Sequence, residues 1–164
     1  KNISGILRTL KRLSEQRNDW QCLMIGEGIH LDKLKEYSNS LGLDEKLVIF
    51  EGLKENDELA GMMANADFQV LFSRFENLPV VILESYACGV PVLSTDVGGI
   101  REHLNEKLGI LIPSEDEDQL LEKLNYLLDH YQDFNKEQIR DYAINNFSRE
   151  VIGKQLFEVY SEVI

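Results

Sequence analysis

Apolar residues recur along this chain in two rhythms. Ile3, Ile6, Leu7, Leu10 and Leu13 fall at three- and four-residue intervals, which predicts an amphipathic helix over Asn2–Arg17, capped by Asn2 or Ser4. Trp20–Ile25 is instead a short apolar run ending in Gly26-Glu27-Gly28, the pattern of a buried strand feeding a turn. The two patterns then alternate. Further helices are predicted over Leu31–Leu41, over Glu55–Asn65, from Pro79 to Gly89, and over Ile100–Leu104. Further strands are predicted over Leu47–Phe50, Asp67–Phe72, Pro91–Ser94 and Gly109–Ile112. After Ile112 the strand rhythm stops, and Glu117–Tyr131, Lys136–Asn146 and Ser148–Ile164 read as three amphipathic helices. Such alternation predicts βαβ units. The fold class is therefore α/β: a Rossmann-like parallel sheet of five strands, helices on both faces, and a helical C-terminal end. No repeat, low-complexity tract or linker divides the chain, so residues 1–164 are expected to form one folding unit.

Composition narrows the function. With 164 residues, 43% of them hydrophobic, the chain can bury a core, and it is too apolar for a disordered segment. The net charge of −12 argues against a general binder of nucleic acid or anionic membrane, because phosphates repel it. Cys22 and Cys88 cannot build a disulfide scaffold, which suggests a reducing compartment. Neither a signal peptide nor a transmembrane run is predicted. His30, His103 and His130 show no metal-ligand spacing, so no metal site is expected.

In an open parallel sheet, ligands bind at the carboxyl ends of the strands. The segments there are Gly26-Glu27-Gly28, Glu51-Gly52-Leu53, Ser73-Arg74-Phe75-Glu76, Asp96-Val97-Gly98-Gly99 and Pro113-Ser114. Turns need such residues in any case. The stretch Asn77–Thr95 stands out, because it runs 19 residues with one charge, Glu84. A lone carboxylate in so neutral a segment is expected to be buried or half-buried, which requires a hydrogen-bonding partner or a ligand hydroxyl. Glu76 lies eight residues earlier, outside the helix that Pro79 begins. Helix geometry sets the two carboxylates about 10 Å apart or more, wide for a glycosidase pair but suited to gripping two ends of one hydroxyl-rich ligand. Between them the free amides of Leu78, Val80 and Val81 attract phosphate. Carboxylate, anion-binding helix end, carboxylate: that order suits a sugar joined to a nucleoside through a diphosphate.

The run Phe72-Ser73-Arg74-Phe75-Glu76-Asn77-Leu78-Pro79-Val80-Val81-Ile82-Leu83-Glu84-Ser85-Tyr86-Ala87-Cys88-Gly89-Val90-Pro91-Val92 resembles the signature of retaining glycosyltransferases of family 4, which have the GT-B fold. Two glutamates with seven residues between them are followed by Ala-Cys-Gly-Val-Pro-Val and then by Thr95-Asp96-Val97-Gly98-Gly99-Ile100-Arg101-Glu102. Gly26-Glu27-Gly28 and Gly109-Ile110-Leu111-Ile112-Pro113 extend the likeness over nearly the whole chain.

The resemblance implies the C-terminal, donor-binding half of a two-domain enzyme. Glu76, the catalytic candidate, would contact the donor sugar. Asn77 and the amides of Leu78, Val80 and Val81 would face sugar and diphosphate, and Glu84 the ribose. Lys1 would neutralise the leaving diphosphate, Gly26 would belong to the Gly-x-Gly turn, and Leu53 and Lys54 would lie beside the base. The implied reaction transfers a hexosyl group, with retention, from a UDP- or GDP-sugar to an acceptor hydroxyl in polysaccharide or glycolipid synthesis. No cofactor or obligatory metal is implied. The expected partners are the nucleotide sugar and a missing N-terminal acceptor-binding domain, through which any membrane contact would be made. The expected setting is the bacterial cytoplasm, up to the inner face of the membrane. This sequence departs from the family at Asn77, where glycine is usual, and in lacking the arginine and the strand that usually precede the first helix. A non-catalytic nucleotide-sugar-binding or interaction domain of the same fold is the alternative. A receiver-type module is disfavoured, since the acidic cluster and phosphoacceptor aspartate it needs at early strand ends are absent.

Overall fold

The computed structural model of the chain describes residues 1–163, so the final residue of the predicted last helix, Ile164, lies outside the described residues. The order of elements follows the predicted alternation: α1 (Ile3–Ser14), β1 (Cys22–Ile25), α2 (Leu31–Ser40), β2 (Val48–Gly52), α3 (Asn56–Ala64), β3 (Gln69–Leu71) and α4 (Val80–Ala87). There follow β4 (Val92–Thr95), α5 (Ile100–His103), β5 (Gly109–Ile112), α6 (Glu117–His130), a short 3-10 turn (Tyr131–Asp133), α7 (Lys136–Phe147) and α8 (Arg149–Val163).

All strand pairs are parallel, but the single five-stranded sheet expected from the sequence is not formed. β1 pairs with β2 in one sheet, β3, β4 and β5 pair in that order in a second, and no ladder joins the two among the described residues. Hydrophobic rhythm specifies a strand but not its neighbour, because pairing depends on segments far away in the chain. Leu23 and Ile25 of β1 remain exposed.

Helices hold the two sheets together. The stripe Ile6, Leu7, Leu10 and Leu13 of α1 is buried with Leu120, Leu121, Leu124 and Leu127 of α6. This core also takes in Val48 of β2, Leu93 of β4 and Ile112 of β5, with Cys22 and Met24 of β1 packed against it. Burial pushes the Cys22 thiol up to about 12, as expected of a packing residue. A second core, built on Ile82 and Tyr86 of α4, Ile100 of α5 and Ile139 of α7, covers the other face of the three-stranded sheet through Leu71 and Val92. β4 is central and all four of its residues are buried.

The remaining histidines and cysteines sit in ordinary surroundings. His103 Nδ1 lies 3.1 Å from the Tyr142 hydroxyl, and His130 Nδ1 lies 3.2 Å from Asp133. Both cysteines are free. α8 packs on α7 and leaves Leu156, Phe157, Val159 and Tyr160 exposed. No helix among the described residues is long and apolar enough to cross a membrane.

Leu7 has no solvent exposure and sits where α1 joins the two sheets. Replacing it with alanine leaves a cavity and is expected to cost about 3 kcal/mol in urea unfolding, whereas Arg12→Ala, which breaks an exposed pair with Asp118, should cost about 1 kcal/mol or less.

Candidate functional site

The site begins where the β3–β4 ladder ends. The last paired residues are Leu71 and Ser94. One residue beyond Ser94, the Thr95 hydroxyl takes over from the ladder. It accepts a hydrogen bond from the Ser73 N–H at 3.1 Å and donates one to the Ser73 carbonyl at 2.7 Å. Thr95 and Ser73 are both buried, so these bonds are shielded from water. The chain can leave the sheet at Ser73 with its backbone groups satisfied.

The loop that follows is held at two more points. The Gly99 N–H donates to the Asn77 carbonyl at 2.8 Å. Gly98 has φ +58°, and a Cβ there would lie 1.7 Å from the Glu76 carbonyl oxygen. Only glycine permits both the conformation and the approach. The loops after β3 and β4 are thereby pressed together. Between them Arg74, Phe75, Glu76, Asn77, Val97 and Gly98 line an open cleft of about 630 Å³. Phe75 is 89% exposed there, although an aromatic ring of that size is usually covered.

Glu76 is the best-held side chain of the cleft. Its Oε1 accepts from Lys1 Nζ at 2.6 Å and from the Ser73 hydroxyl at 2.7 Å. Burial pushes its pKa up, but the hydrogen bonds from Lys1 and Ser73 and the positive charge of Lys1 outweigh that, holding the carboxyl below the ordinary glutamate value. Lys1 reaches it because Asn2 is fixed. The Asn2 side chain accepts from the Gly5 N–H at 3.3 Å, capping α1, while its own N–H donates to the Phe72 carbonyl at 3.0 Å. The start of α1 is thus tied to the end of β3.

The other predicted residues are placed as follows. Asn77 is exposed and Leu78 half-buried. Pro79 is the residue before α4 rather than its first residue, and no side chain caps the helix. Val80 is exposed and Val81 half-buried in the first turn, where amides have no partner within the helix. Gly26 follows β1, with φ +133°, and its N–H donates to the Gly52 carbonyl at 2.8 Å. Leu53 is exposed after β2, while Lys54 is bonded to Glu58 at 2.6 Å and lies 3.7 Å from Glu51. Hydrogen bonds therefore join Lys1 to Glu76 but connect neither to Lys54 among the described residues. Arg74 pairs with Glu115 at 2.7 Å, and Arg101 pairs with Asp96.

Glu84 differs from its expectation. It is exposed, not buried. α4 buries Ile82, Ser85 and Tyr86, and Glu84 shares the outward side with Val80 and Ala87. The segment is poor in charge because β4 and the inner side of α4 are buried, and its one charge stands where the helix meets solvent. Ser73, Thr95 and Gly98 were not singled out from the sequence. Ser73 and Gly98 stand in the strand-end turns, but nothing in their residue types foretold contact between two loops.

With this geometry in view, comparison with known proteins is decisive. The family described as "Glycosyl transferases group 1" matches residues 1–146. The chain belongs to that family. An uncharacterized glycosyltransferase of Methanocaldococcus jannaschii is 28% identical over 155 residues, a match covering 94% of this chain and 38% of that protein. A GDP-mannose-dependent monoacylated α-(1-6)-phosphatidylinositol monomannoside mannosyltransferase of Corynebacterium glutamicum is 29% identical over 136 residues, covering 79% of this chain and 35% of that one. The chain thus spans well under half the length of these curated relatives. Among solved structures, HepE of Anabaena in complex with UDP superposes with a TM-score of 0.84 at 22% identity, covering 99% of this chain and 45% of that one. That likeness shows the fold, Rossmann-like and of the GT-B kind.

The depressed pKa of Glu76 has a consequence for this group 1 glycosyltransferase domain. A carboxyl held below its ordinary value of 4.5 stabilises the fold fully above that pH, and the contribution disappears as pH falls through the folded value. The stability difference between the protein and its Glu76→Gln variant, followed by urea unfolding from pH 6 downward, is therefore expected to hold constant to about pH 4.5 and then shrink.

Proposed function

We propose that this chain is the donor half of a retaining glycosyltransferase, binding a UDP- or GDP-sugar at the cleft beside Glu76. The observation that carries the reading is Lys1 Nζ bonded at 2.6 Å to Glu76, in the loop that leads into the uncapped N-terminus of α4. The fixed carboxylate and the first-turn helix amides lie along one stretch of backbone, and the cation reaches the carboxylate from the residue two before α1. Those are the groups a sugar diphosphate needs: hydroxyl acceptor, diphosphate donors and a counter-charge.

In this reading Glu76 accepts from the sugar hydroxyls. Asn77, Leu78, Val80 and Val81 face sugar and diphosphate, and Glu84, open to solvent on the outer side of α4, accepts from the ribose. Gly26, Leu53 and Lys54, at the ends of β1 and β2, border the nucleoside. The reaction breaks the bond between the anomeric carbon and the diphosphate oxygen. A bond to the acceptor oxygen forms on the same face, and the acceptor proton leaves with the nucleoside diphosphate. Lys1 and the α4 N-terminus stabilise the charge on that leaving group, and no metal is required for it. The GDP-mannose dependence of the Corynebacterium relative and the UDP bound in the Anabaena structure support a nucleotide-sugar donor and keep both bases in play.

The chain's span of its relatives supports a whole protein with a second, acceptor-binding domain. Such a protein would work in the cytoplasm on polysaccharide or glycolipid acceptors.

Calorimetry with UDP-glucose and GDP-mannose is expected to show binding of one of them. Glu84→Ala should weaken it at least about tenfold, the loss of a charged hydrogen bond. Undiminished binding by Glu84→Ala would remove the ribose role, and no binding of either sugar nucleotide would remove the donor reading. Without a second domain, residues 1–164 alone should transfer no sugar to an acceptor.

A further inference from the structure

Glu76 presents its two oxygens unequally. Oε1 takes both hydrogen bonds, from Lys1 Nζ and from the Ser73 hydroxyl, and Oε2 accepts none among the described residues. The carboxylate is therefore anchored by one oxygen and offers the other to the cleft. Of the two anchors, Lys1 is a long exposed side chain with many rotamers, while Ser73 is short and only 1% exposed. The serine is the anchor that fixes direction.

Ser73 can do so only because it is itself fixed. Both of its backbone groups are held by one side chain, the Thr95 hydroxyl, at 3.1 and 2.7 Å. The Ser114 hydroxyl approaches the same carbonyl at 3.4 Å. A buried serine most often returns its hydroxyl to nearby backbone. Ser85 does that here, donating to the Val90 carbonyl at 3.0 Å. Ser73 instead spends its proton on a carboxylate three residues ahead, in the cleft.

We propose that Ser73, locked in place by Thr95, is the positioning residue that sets the orientation of Glu76 and leaves its Oε2 aimed at a hydroxyl of the bound sugar. The sugar contact rests on the donor reading above. The orientation of Glu76 does not. Thr95 works at one remove, by replacing the ladder bonds that β3 and β4 no longer supply at this point. Gly98 and Gly99 complete the clamp by fixing the backbone of Glu76 and Asn77.

The test reads Glu76 directly. Its carboxyl carbon is followed by NMR in glutamate-labelled protein and assigned by its loss in Glu76→Gln. The charged group facing this carboxyl is Lys1 Nζ, while Arg74, in the same loop, is occupied by Glu115. Ser73→Ala is expected to raise the Glu76 titration midpoint towards the ordinary glutamate value, since one of its stabilising bonds is gone. Thr95→Val should raise it in the same direction, and Thr95→Ser, which keeps the hydroxyl, should leave it in place.

In parallel, affinities are measured for UDP-glucose and GDP-mannose and for free UDP and GDP. For the pair that binds, Ser73→Ala should lower the sugar nucleotide's affinity about tenfold and leave that of the free diphosphate unchanged. A folded Ser73→Ala protein whose Glu76 midpoint does not move overturns the positioning role. Ser73→Ala deletes a single oxygen, so it decides the matter even where Thr95→Val fails to fold. If the unmodified protein binds no nucleotide, the donor reading falls, and the titration still tells whether Ser73 orients Glu76.

Discussion

The buried stripe of α1 is the constraint on which the rest depends. Ile6, Leu7, Leu10 and Leu13 meet the leucines of α6 in the core that both sheets share, and among the described residues no strand ladder does the joining. Lys1, which pairs with Glu76, stands two residues ahead of the same helix. The Asn2 side chain accepts from the Gly5 N–H of α1 while the backbone N–H of Asn2 donates to the Phe72 carbonyl, which leaves Lys1 within reach of Glu76. The hydrophobic effect that seats α1 is non-directional. Direction comes from the two bonds at Asn2, which fix the backbone from which the Lys1 side chain extends.

The carboxylate side of the site is built differently. Glu76 lies in a loop, and loops are where positional error accumulates. Here the error is limited by contacts with the end of the neighbouring strand: Thr95 on Ser73, Gly99 on Asn77, and the bare Cα of Gly98 against the backbone of Glu76. Each hydrogen bond among them is weak, worth about 1 kcal/mol. Together they leave the loop little freedom, and they come from the last residue of β4, a strand buried along its whole length, and from the turn that follows it. The loop borrows the rigidity of the sheet's centre.

How much of this could be read from the sequence depends on range. Gly109–Ile112 is found residue for residue, and the leucines of α6 lie where the helical spacing put them. Those signals are local, because burial imposes its period on adjacent residues. The split between β1–β2 and β3–β4–β5 is invisible locally, since pairing is decided between distant segments. The carboxylate pair Glu76 and Glu84 could be located by spacing, but the exposure of Glu84 could not. Its charge-poor surroundings reflect buried neighbours and not its own burial. Lys1 and Glu76 are 75 residues apart, and only the family resemblance suggested a common site. Ser73 and Thr95 are small polar residues at strand ends, a description that fits many residues with no role at all.

The pairing of α1 with α6 also sets the order of events when the chain is made. Arg8 and Glu117, which bridge the two helices, are 109 residues apart. At about 5–20 residues per second, the ribosome needs on the order of 5–20 s to produce the second helix after the first. For that interval the stripe of α1 lacks the α6 leucines that complete its core. The apolar stripe of α1 is therefore covered late, by a helix made after all five strands.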